Sequence, residues 1–320
     1  MSDQAGAPTD KTTVPPGLPP AARSGADKDP GEAPLRAIRA LAGRAWATLA
    51  LPVLAIGLAL VVGAVVIILS SALEPGKPLD FGLPLKAYSA LFDGSLGGEN
   101  GRVSTLVQAA PLLLAALGVG LAFKSGLFNI AAPGQFLLAA VGCVAASQLV
   151  ASSGPLVAIP VALVAGALIG AAWGFIPGFL KAFSGAHEVV TTIMLNFIAQ
   201  GLMSWLISGP LRLPRSPNPV TPDVGDAALP ILFGRDGHIG IVLAFLVVPI
   251  VWFVLYRTTL GFEIRAVGAN PDASRYAGMK PRRLVTLTMS LAGLLAGLAG
   301  TINVLGINHQ MNATFSTSVG

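Results

Sequence analysis

The stretch Leu127-Phe128-Asn129-Ile130-Ala131-Ala132-Pro133-Gly134-Gln135 decides how the chain folds. It separates two apolar runs, roughly 103–123 and 136–150, each close to the ~20 apolar residues that cross a bilayer as a helix. Because Pro133 lacks a backbone donor and Gly134 is conformationally free, we predict that the helix breaks here. Broken backbone at membrane depth is tolerated only inside protein or beside a watery cavity. The alternative is a tight turn at the membrane surface with two solvated amides.

Composition assigns the chain to the polytopic membrane proteins. Of its 320 residues, 53% are hydrophobic and 11% are charged, which is more apolar surface than a soluble fold can bury. Cys143 is the only cysteine and the three histidines are scattered, so we expect neither a disulfide nor a metal site. The sequence holds no Gly-Lys-Ser or Gly-Lys-Thr motif. We therefore expect no ATP hydrolysis on this chain and no cofactor.

We predict an all-α fold with about seven membrane spans and a broken or re-entrant helix near 127–135. The predicted spans are 46–70, 103–123, 135–150, 156–180, 188–207, 238–256 and 284–305. Residues 1–35, rich in proline, glycine and charge, are predicted to form a disordered tail ahead of a transmembrane domain at 36–320. Basic residues precede the first span and crowd the loop 257–283, so the N-terminus is predicted to be cytoplasmic. The chain stops at Gly320, just past a span, which indicates that C-terminal spans are missing.

Two of the predicted spans carry glycines that favour close helix packing. They are Gly166, Gly170, Gly174 and Gly178 in the fourth span, and Gly293 and Gly297 in the seventh. A four-residue spacing places bare backbone along one face of a helix, where another helix can approach closely. We interpret these glycines as helix-packing positions.

The fifth span carries a polar stripe. Its members repeat every four residues: Glu188, Thr192, Asn196, Gln200 and Ser204. Four residues slightly exceed one helical turn, so the stripe drifts slowly around the helix. An unpaired amide in hydrocarbon costs on the order of 1–3 kcal/mol, so these side chains should face a partner helix or water. The stripe is either the wall of a cavity or a set of helix–helix hydrogen bonds, and the sequence leaves both open.

Three loops also stand out. The segments 71–102 and 208–237 are interpreted as outer loops, and the second, which is rich in proline, is either a docking surface or a passive connection. Within the third loop, residues 268–278 predict a short helix with Asn270 as N-cap, Pro271 in the first turn and Gly278 at the stop. Such a capped helix is either a rigid lever for a cytoplasmic partner or a solvated loop helix.

With these stretches in view, the chain resembles the permease subunits of bacterial ABC importers. The closest branch serves nucleosides and simple sugars and is related to the ribose and branched-chain amino-acid permeases. Four stretches in the right order carry the resemblance: 126–135, 174–196, 268–278 and 291–300. The chain departs from the family at Ala131-Ala132-Pro133, where Gly-Ala-Glu is usual, so a carboxylate role there is in doubt. The family also continues beyond the position of Gly320.

The resemblance implies a transport subunit rather than an enzyme, placed in the bacterial cytoplasmic membrane. The implied partners are a second permease subunit of the same or a different chain, two cytoplasmic ABC ATPase subunits, an extracytoplasmic substrate-binding protein and membrane lipid, with no nucleic acid. The residues expected along the substrate path are Phe128, Asn129, Gln135, Thr192 and Asn196. Those expected to couple to the ATPase are Asn270, Pro271, Asp272, Arg275, Tyr276 and Gly278, with the segment 181–188 as a second candidate.

Three alternatives stay open beside this interpretation. A secondary carrier or channel for a small polar solute is the first, although ion-coupled carriers tend to keep acids within their spans and here only Glu188, at a helix end, is close to one. A membrane-embedded enzyme would need a nucleophile, an acid–base pair or a metal set, which the predicted spans do not offer. The third is a chain that keeps the fold and has lost activity.

Overall fold

The structure is a computed structural model whose described backbone covers residues 33–73, 80–312 and 315, with side chains from residue 50 onward. The tail predicted at residues 1–35 therefore lies, up to residue 32, outside the described residues. The described helices are α1 Ala33–Ala72, α2 Leu83–Ser95, α3 Gly98–Lys124, α4 Ala132–Leu149, α5 Pro155–Ser184, α6 Glu188–Ser208, α7 Gly240–Arg257, α8 Thr259–Ala269, α9 Pro271–Tyr276 and α10 Pro281–Asn303. Helix α10 continues as one π-helical turn, Val304–Asn308, and strands β1 Ile231–Phe233 and β2 Gly237–His238 pair antiparallel.

The prediction of an all-α protein with seven spans is confirmed. In the described part of the chain, seven helices are long and apolar enough to cross a membrane: α1 from Ala50, α3, α4, α5, α6, α7, and α10 with its π-helical turn. The chain divides into two compact units, one ending at Lys86 and the other beginning at Ala87. Helices α3 to α10 belong to the second unit, which holds every residue of the predicted sites.

Helix α10 forms the centre of the second unit and packs against α3, α4 and α5. The buried face of α10 is built from small residues, of which Ala292, Ala296 and Ala299 are fully buried. On α3, a Cβ atom added to Gly118 would lie 2.6 Å from the carbonyl oxygen of Ala292. Because lipid is as apolar as the helices themselves, such close packing is what holds membrane helices together.

The glycine faces of α5 and α10 lie against each other. A Cβ atom at Gly170 would lie 2.6 Å from the Cα atom of Gly297, and one at Gly174 would lie 3.0 Å from the Cα atom of Gly293. These obstacles are backbone atoms, which cannot swing away as a flexible side chain can. The two helices therefore approach to backbone contact, and no residue larger than glycine fits without a shift.

The proline-rich segment after α6 is folded onto the end of α10. The backbone N–H of Leu229 donates to the carbonyl oxygen of Leu305 at 2.9 Å, and the N–H of Val224 donates to that of His309 at 3.0 Å. Thr221 and Val224 are buried, and a short 3₁₀ turn, Gly225–Ala227, lies between these anchor points. The segment is thus a packed cap on one end of the second unit.

Two helices lie in segments that the sequence interpretation treated as loops. Helix α2 occupies part of the segment 71–102, and α8 fills the first half of the loop 257–283. Helix α8 begins at Thr258, whose hydroxyl oxygen accepts a hydrogen bond from the N–H of Gly261 at 3.2 Å. Ile264 and Val267, three residues apart, are buried against the rest of the unit. The cap and the apolar spacing were both visible in the sequence and were overlooked beside the strong basic pattern of the loop.

We predict that Gly170→Ala lowers the thermal unfolding midpoint of the purified chain in detergent. The added methyl group meets the backbone of Gly297, and overpacking of this kind costs about 1–3 kcal/mol. Gly120→Ala on α3 is the matched control because nothing lies within 4 Å of its Cβ position, and alanine there gains helix propensity. Size-exclusion chromatography after heating measures both variants. Equal midpoints for the two would contradict the packing described here.

Candidate functional site

The link between α3 and α4, residues 125–131, alternates between buried and exposed residues from Leu127 onward. Leu127, Asn129 and Ala131 are buried, whereas Phe128 is 52% exposed and Ile130 is 39% exposed. The predicted break is present, at residues 125–131, and Pro133 and Gly134 lie in the first turn of α4. The broken part turns Phe128 and Ile130 away from the protein core.

The two amides of the link are paired with each other. The Nδ2 atom of Asn129 donates to Oε1 of Gln135 at 3.1 Å, and Nε2 of Gln135 donates back to Oδ1 of Asn129 at 3.3 Å. Oδ1 of Asn129 also accepts from the N–H of Ala131 at 3.2 Å. Both amide side chains are buried, so the alternative of a surface turn with solvated amides does not describe this link.

The side chain of Asn196, on α6, binds backbone groups of the link and of the first turn of α4. Its Oδ1 atom accepts from the N–H of Gly134 at 2.9 Å, and its Nδ2 atom donates to the carbonyl oxygen of Ile130 at 2.8 Å. The first of these groups is one of the N–H groups that the start of a helix leaves without a partner. One side chain thus satisfies two backbone groups that the break between α3 and α4 has freed.

The polar stripe of α6 divides into a buried part and an exposed part. Thr192 is fully buried, and its hydroxyl group donates to the carbonyl oxygen of Glu188 at 2.7 Å. Glu188 in turn pairs with Lys181 of α5, with 2.7 Å between carboxylate and ammonium. Gln200 and Ser204, farther along the same face, are exposed. The first half of the stripe is therefore used in helix contacts, and the second half is available to a partner or to water.

Helix α8 touches the link through bare backbone. A Cβ atom at Gly268 would lie 2.8 Å from the Cα atom of Ser125, and one at Gly126 would lie 3.2 Å from the carbonyl oxygen of Gly268. Gly126 has a positive φ of 74°, which favours glycine, so this turn is fixed both by its conformation and by its neighbour. Helix α8 thus contacts the link at the turn that immediately precedes Leu127.

Helix α9 follows α8 directly and is rigidly capped. Oδ1 of Asn270 accepts from the N–H groups of Asp272 and Ala273, each at 3.0 Å. After the helix, Gly278 adopts a φ of 86° and reverses the chain. The side chain of Tyr276 is 94% exposed, and those of Asp272 and Arg275 are exposed as well. The element is short and stiff, and it presents an uncovered polar and aromatic face.

The residues predicted for the substrate path therefore differ in their surroundings. Asn129, Gln135 and Asn196 are brought together at the link, Thr192 is buried one turn before Asn196, and Phe128 is exposed next to Asn129.

Sequence reasoning missed the contact of Gly268 with Ser125, because a backbone-to-backbone approach leaves no pattern of side chains. In the described part of the chain, no group of three His, Cys, Asp or Glu side chains is placed to hold a metal ion.

Comparisons with known proteins agree on one family. Residues 101–319 match the family described as branched-chain amino acid transport system / permease component. The chain is 38% identical to the guanosine ABC transporter permease protein of Bacillus subtilis over 265 residues, which are 81% of this chain and 72% of the relative. It is 35% identical to the glucose ABC transporter permease protein of Haloferax volcanii over 290 residues, which are 86% of this chain and 73% of the relative. No solved structure matches the chain significantly.

A third relative is named for nucleosides in general. The nucleoside ABC transporter permease protein of Lactococcus lactis is 36% identical over 243 residues, which are 72% of this chain and 65% of the relative. The chain thus spans roughly two thirds to three quarters of the length of these relatives.

We predict that Asn196→Ala lowers the thermal unfolding midpoint because it leaves the N–H of Gly134 and the carbonyl group of Ile130 without their partner. A fully buried backbone group without a partner costs about 1–3 kcal/mol; because the N–H of Gly134 is part-buried and the carbonyl group of Ile130 is exposed, we expect a loss of about 1 kcal/mol. Gln200→Ala, on the same face of α6 but exposed, is the matched control and should change stability by less than about 0.5 kcal/mol. Should the two variants unfold at the same temperature, Asn196 would not be holding the link.

Proposed function

We propose a function for this chain from one premise: it belongs to the family of the branched-chain amino acid transport system, permease component. It acts as a permease subunit of an ATP-binding-cassette importer and forms part of the path by which a nucleoside or a simple sugar crosses the cytoplasmic membrane. ATP is hydrolysed on separate subunits. Relatives named for guanosine, for nucleosides and for glucose support the substrate class.

The chemistry of the link suits such a substrate. Nucleosides and sugars offer hydroxyl groups and ring nitrogens, which amides and backbone groups can match without a charge. Phe128 is exposed and packs edge-to-face on Phe123 with 5.2 Å between ring centroids, so it presents an aromatic surface to a base or a sugar ring. We assign Phe128 to contact with the substrate, and Asn129, Gln135, Thr192 and Asn196 to holding the wall behind it.

The face of α9 is the proposed ATPase contact. Three of its exposed side chains, Asp272, Arg275 and Tyr276, are polar or aromatic and lie on a helix capped by Asn270. The short turn 181–188 is less suited to this role, because its two charged ends, Lys181 and Glu188, are paired with each other.

The contact of Gly268 with Ser125 is the single observation that carries the proposal, since it joins the cytoplasmic element to the link. A displacement of α8 and α9 by an ATPase must move Ser125 and Gly126 or separate two backbones in van der Waals contact. The next residues along the chain are Leu127 and Phe128. The chain thus offers a direct mechanical connection from the proposed ATPase surface to the proposed substrate wall.

The remaining partners follow from the same topology. The N-terminus and α9 are proposed to be cytoplasmic, which agrees with the basic loop 257–283. The folded cap of residues 209–239 is then extracytoplasmic and is the proposed contact for a substrate-binding protein. A second permease subunit, either a copy of this chain or a different one, completes the path.

We predict that the full chain, purified in detergent from its native membrane, brings with it a P-loop ATPase that hydrolyses ATP. Tyr276→Ala should weaken this capture about 30-fold, because an exposed tyrosine at the centre of an interface contributes about 2 kcal/mol or more. Tyr256→Ala, which removes a partly exposed tyrosine at the end of α7, is the control and should leave capture unchanged.

Capture also tests the orientation, because an ATPase on α9 places that helix in the cytoplasm. The outcome that would overturn the proposal is a chain that captures no ATPase and supports solute uptake into vesicles without ATP. A secondary carrier would then be the better description.

A further inference from the structure

The cytoplasmic end of the α5–α10 pair carries a groove that the proposed transport function does not use. The groove has a volume of about 530 Å³ and is lined by Phe175, Phe179, Phe183, Lys280, Arg282, Arg283, Thr286, Leu287 and Ser290. This volume is in the range of small-molecule sites, roughly 300–1,000 Å³. The groove lies between helices that are otherwise in backbone contact, so its walls are rigid.

One wall of the groove is an aromatic ladder on α5. The three phenylalanines repeat every four residues, and the rings of Phe175 and Phe179 stack with centroids 5.6 Å apart, those of Phe179 and Phe183 with centroids 4.5 Å apart. All three rings remain 43–56% exposed. Eight residues of helix rise about 12 Å, which is close to the thickness of one leaflet, about half of the ~30 Å hydrocarbon core.

The mouth of the groove is cationic. Lys280, Arg282 and Arg283 surround the start of α10 and are exposed. The guanidinium group of Arg282 lies over the ring of Phe183, 5.9 Å from its centroid. Lys280 provides no side-chain cap to α10, so the first N–H groups of that helix add positive potential at the same place.

Little negative charge competes for these cations. Glu263 lines the neighbouring groove together with Lys280 and Arg283, and no ion pair within 4.0 Å joins it to either of them among the described residues. Glu188, the acid at the start of α6, is already paired with Lys181. The mouth therefore keeps a net positive charge at the start of α10, the end of a candidate membrane span.

We propose that this groove binds one anionic phospholipid of the cytoplasmic leaflet. The phosphate group lies among Lys280, Arg282 and Arg283, and an acyl chain lies along the phenylalanine ladder toward Ser290. Clusters of Lys and Arg at the cytoplasmic face of a span attract anionic headgroups by about 1 kcal/mol per cation. An acyl chain matches an apolar wall one leaflet long, which neither a soluble anion nor an acidic peptide does.

The proposal is tested by native mass spectrometry of the full chain, released from nanodiscs of phosphatidylcholine with phosphatidylglycerol. The expected result is one phosphatidylglycerol retained in preference to phosphatidylcholine. Arg282→Gln and Arg283→Gln should each reduce that preference about fivefold. Arg257→Gln is the matched control, because Arg257 is likewise exposed at a cytoplasmic helix end and lies over an aromatic ring, 5.7 Å from the centroid of Trp252. It should leave the retained lipid unchanged.

A second pair of variants examines the apolar wall. Phe179→Ala should lower retention, and Phe245→Ala, which removes an exposed phenylalanine on α7 outside the groove, should not. Equal losses in groove and control variants would overturn the proposal, as would equal retention of the zwitterionic lipid. So would stabilisation of the chain by inorganic phosphate alone, which would mean an anion site without a lipid. A disulfide between two copies of Phe179→Cys in the membrane would assign the groove to a second copy of the chain.

Discussion

The structure depends on one constraint: inside a bilayer, every backbone N–H and carbonyl group must find a partner within the protein. The link between α3 and α4 breaks the helical bonding that would otherwise provide these partners. The amide of Asn196 replaces two of the lost bonds, and Asn129 replaces another by accepting from Ala131. Because these partners come from α6 and from the link itself, the backbone groups of the break are satisfied within the protein while Phe128 stays exposed.

Close glycine packing of α5 against α10 positions the helices that surround this link. No side chains separate the two helices at Gly170 and Gly297. Helix α10 also packs against α3 and α4, so it lies at the centre of the second unit. The turn that precedes the link is then held by α8, again through glycine. The link is thus held at both ends, by Asn196 at Gly134 and by Gly268 at Ser125. Gly268 lies on α8, directly before α9, the helix proposed to contact the ATPase.

The sequence predicted those features that arise within one helix or one turn. Pro133 and Gly134 predicted a break near 127–135, and the structure has it at 125–131, with both residues in the first turn of α4. Hydropathy predicted the seven spans, and Asn270 with Pro271 predicted the cap of α9. It did not predict which groups Asn196 bonds, because these lie 62 and 66 residues away along the chain and no spacing encodes them. The folded cap after α6 was missed for the same reason, since its bonds are to the end of α10.

Phe128 is proposed to border the transported solute and to move when ATP is used. The direct measurement is the rate at which a thiol reagent labels Phe128→Cys in the assembly purified with its ATPase; the only native cysteine, Cys143, is buried. Labelling should change on trapping with ATP and vanadate and slow in the presence of the transported nucleoside or sugar. Leu112→Cys, 56% exposed on α3, should respond to neither. A rate at Phe128→Cys that is the same in every condition would contradict the account.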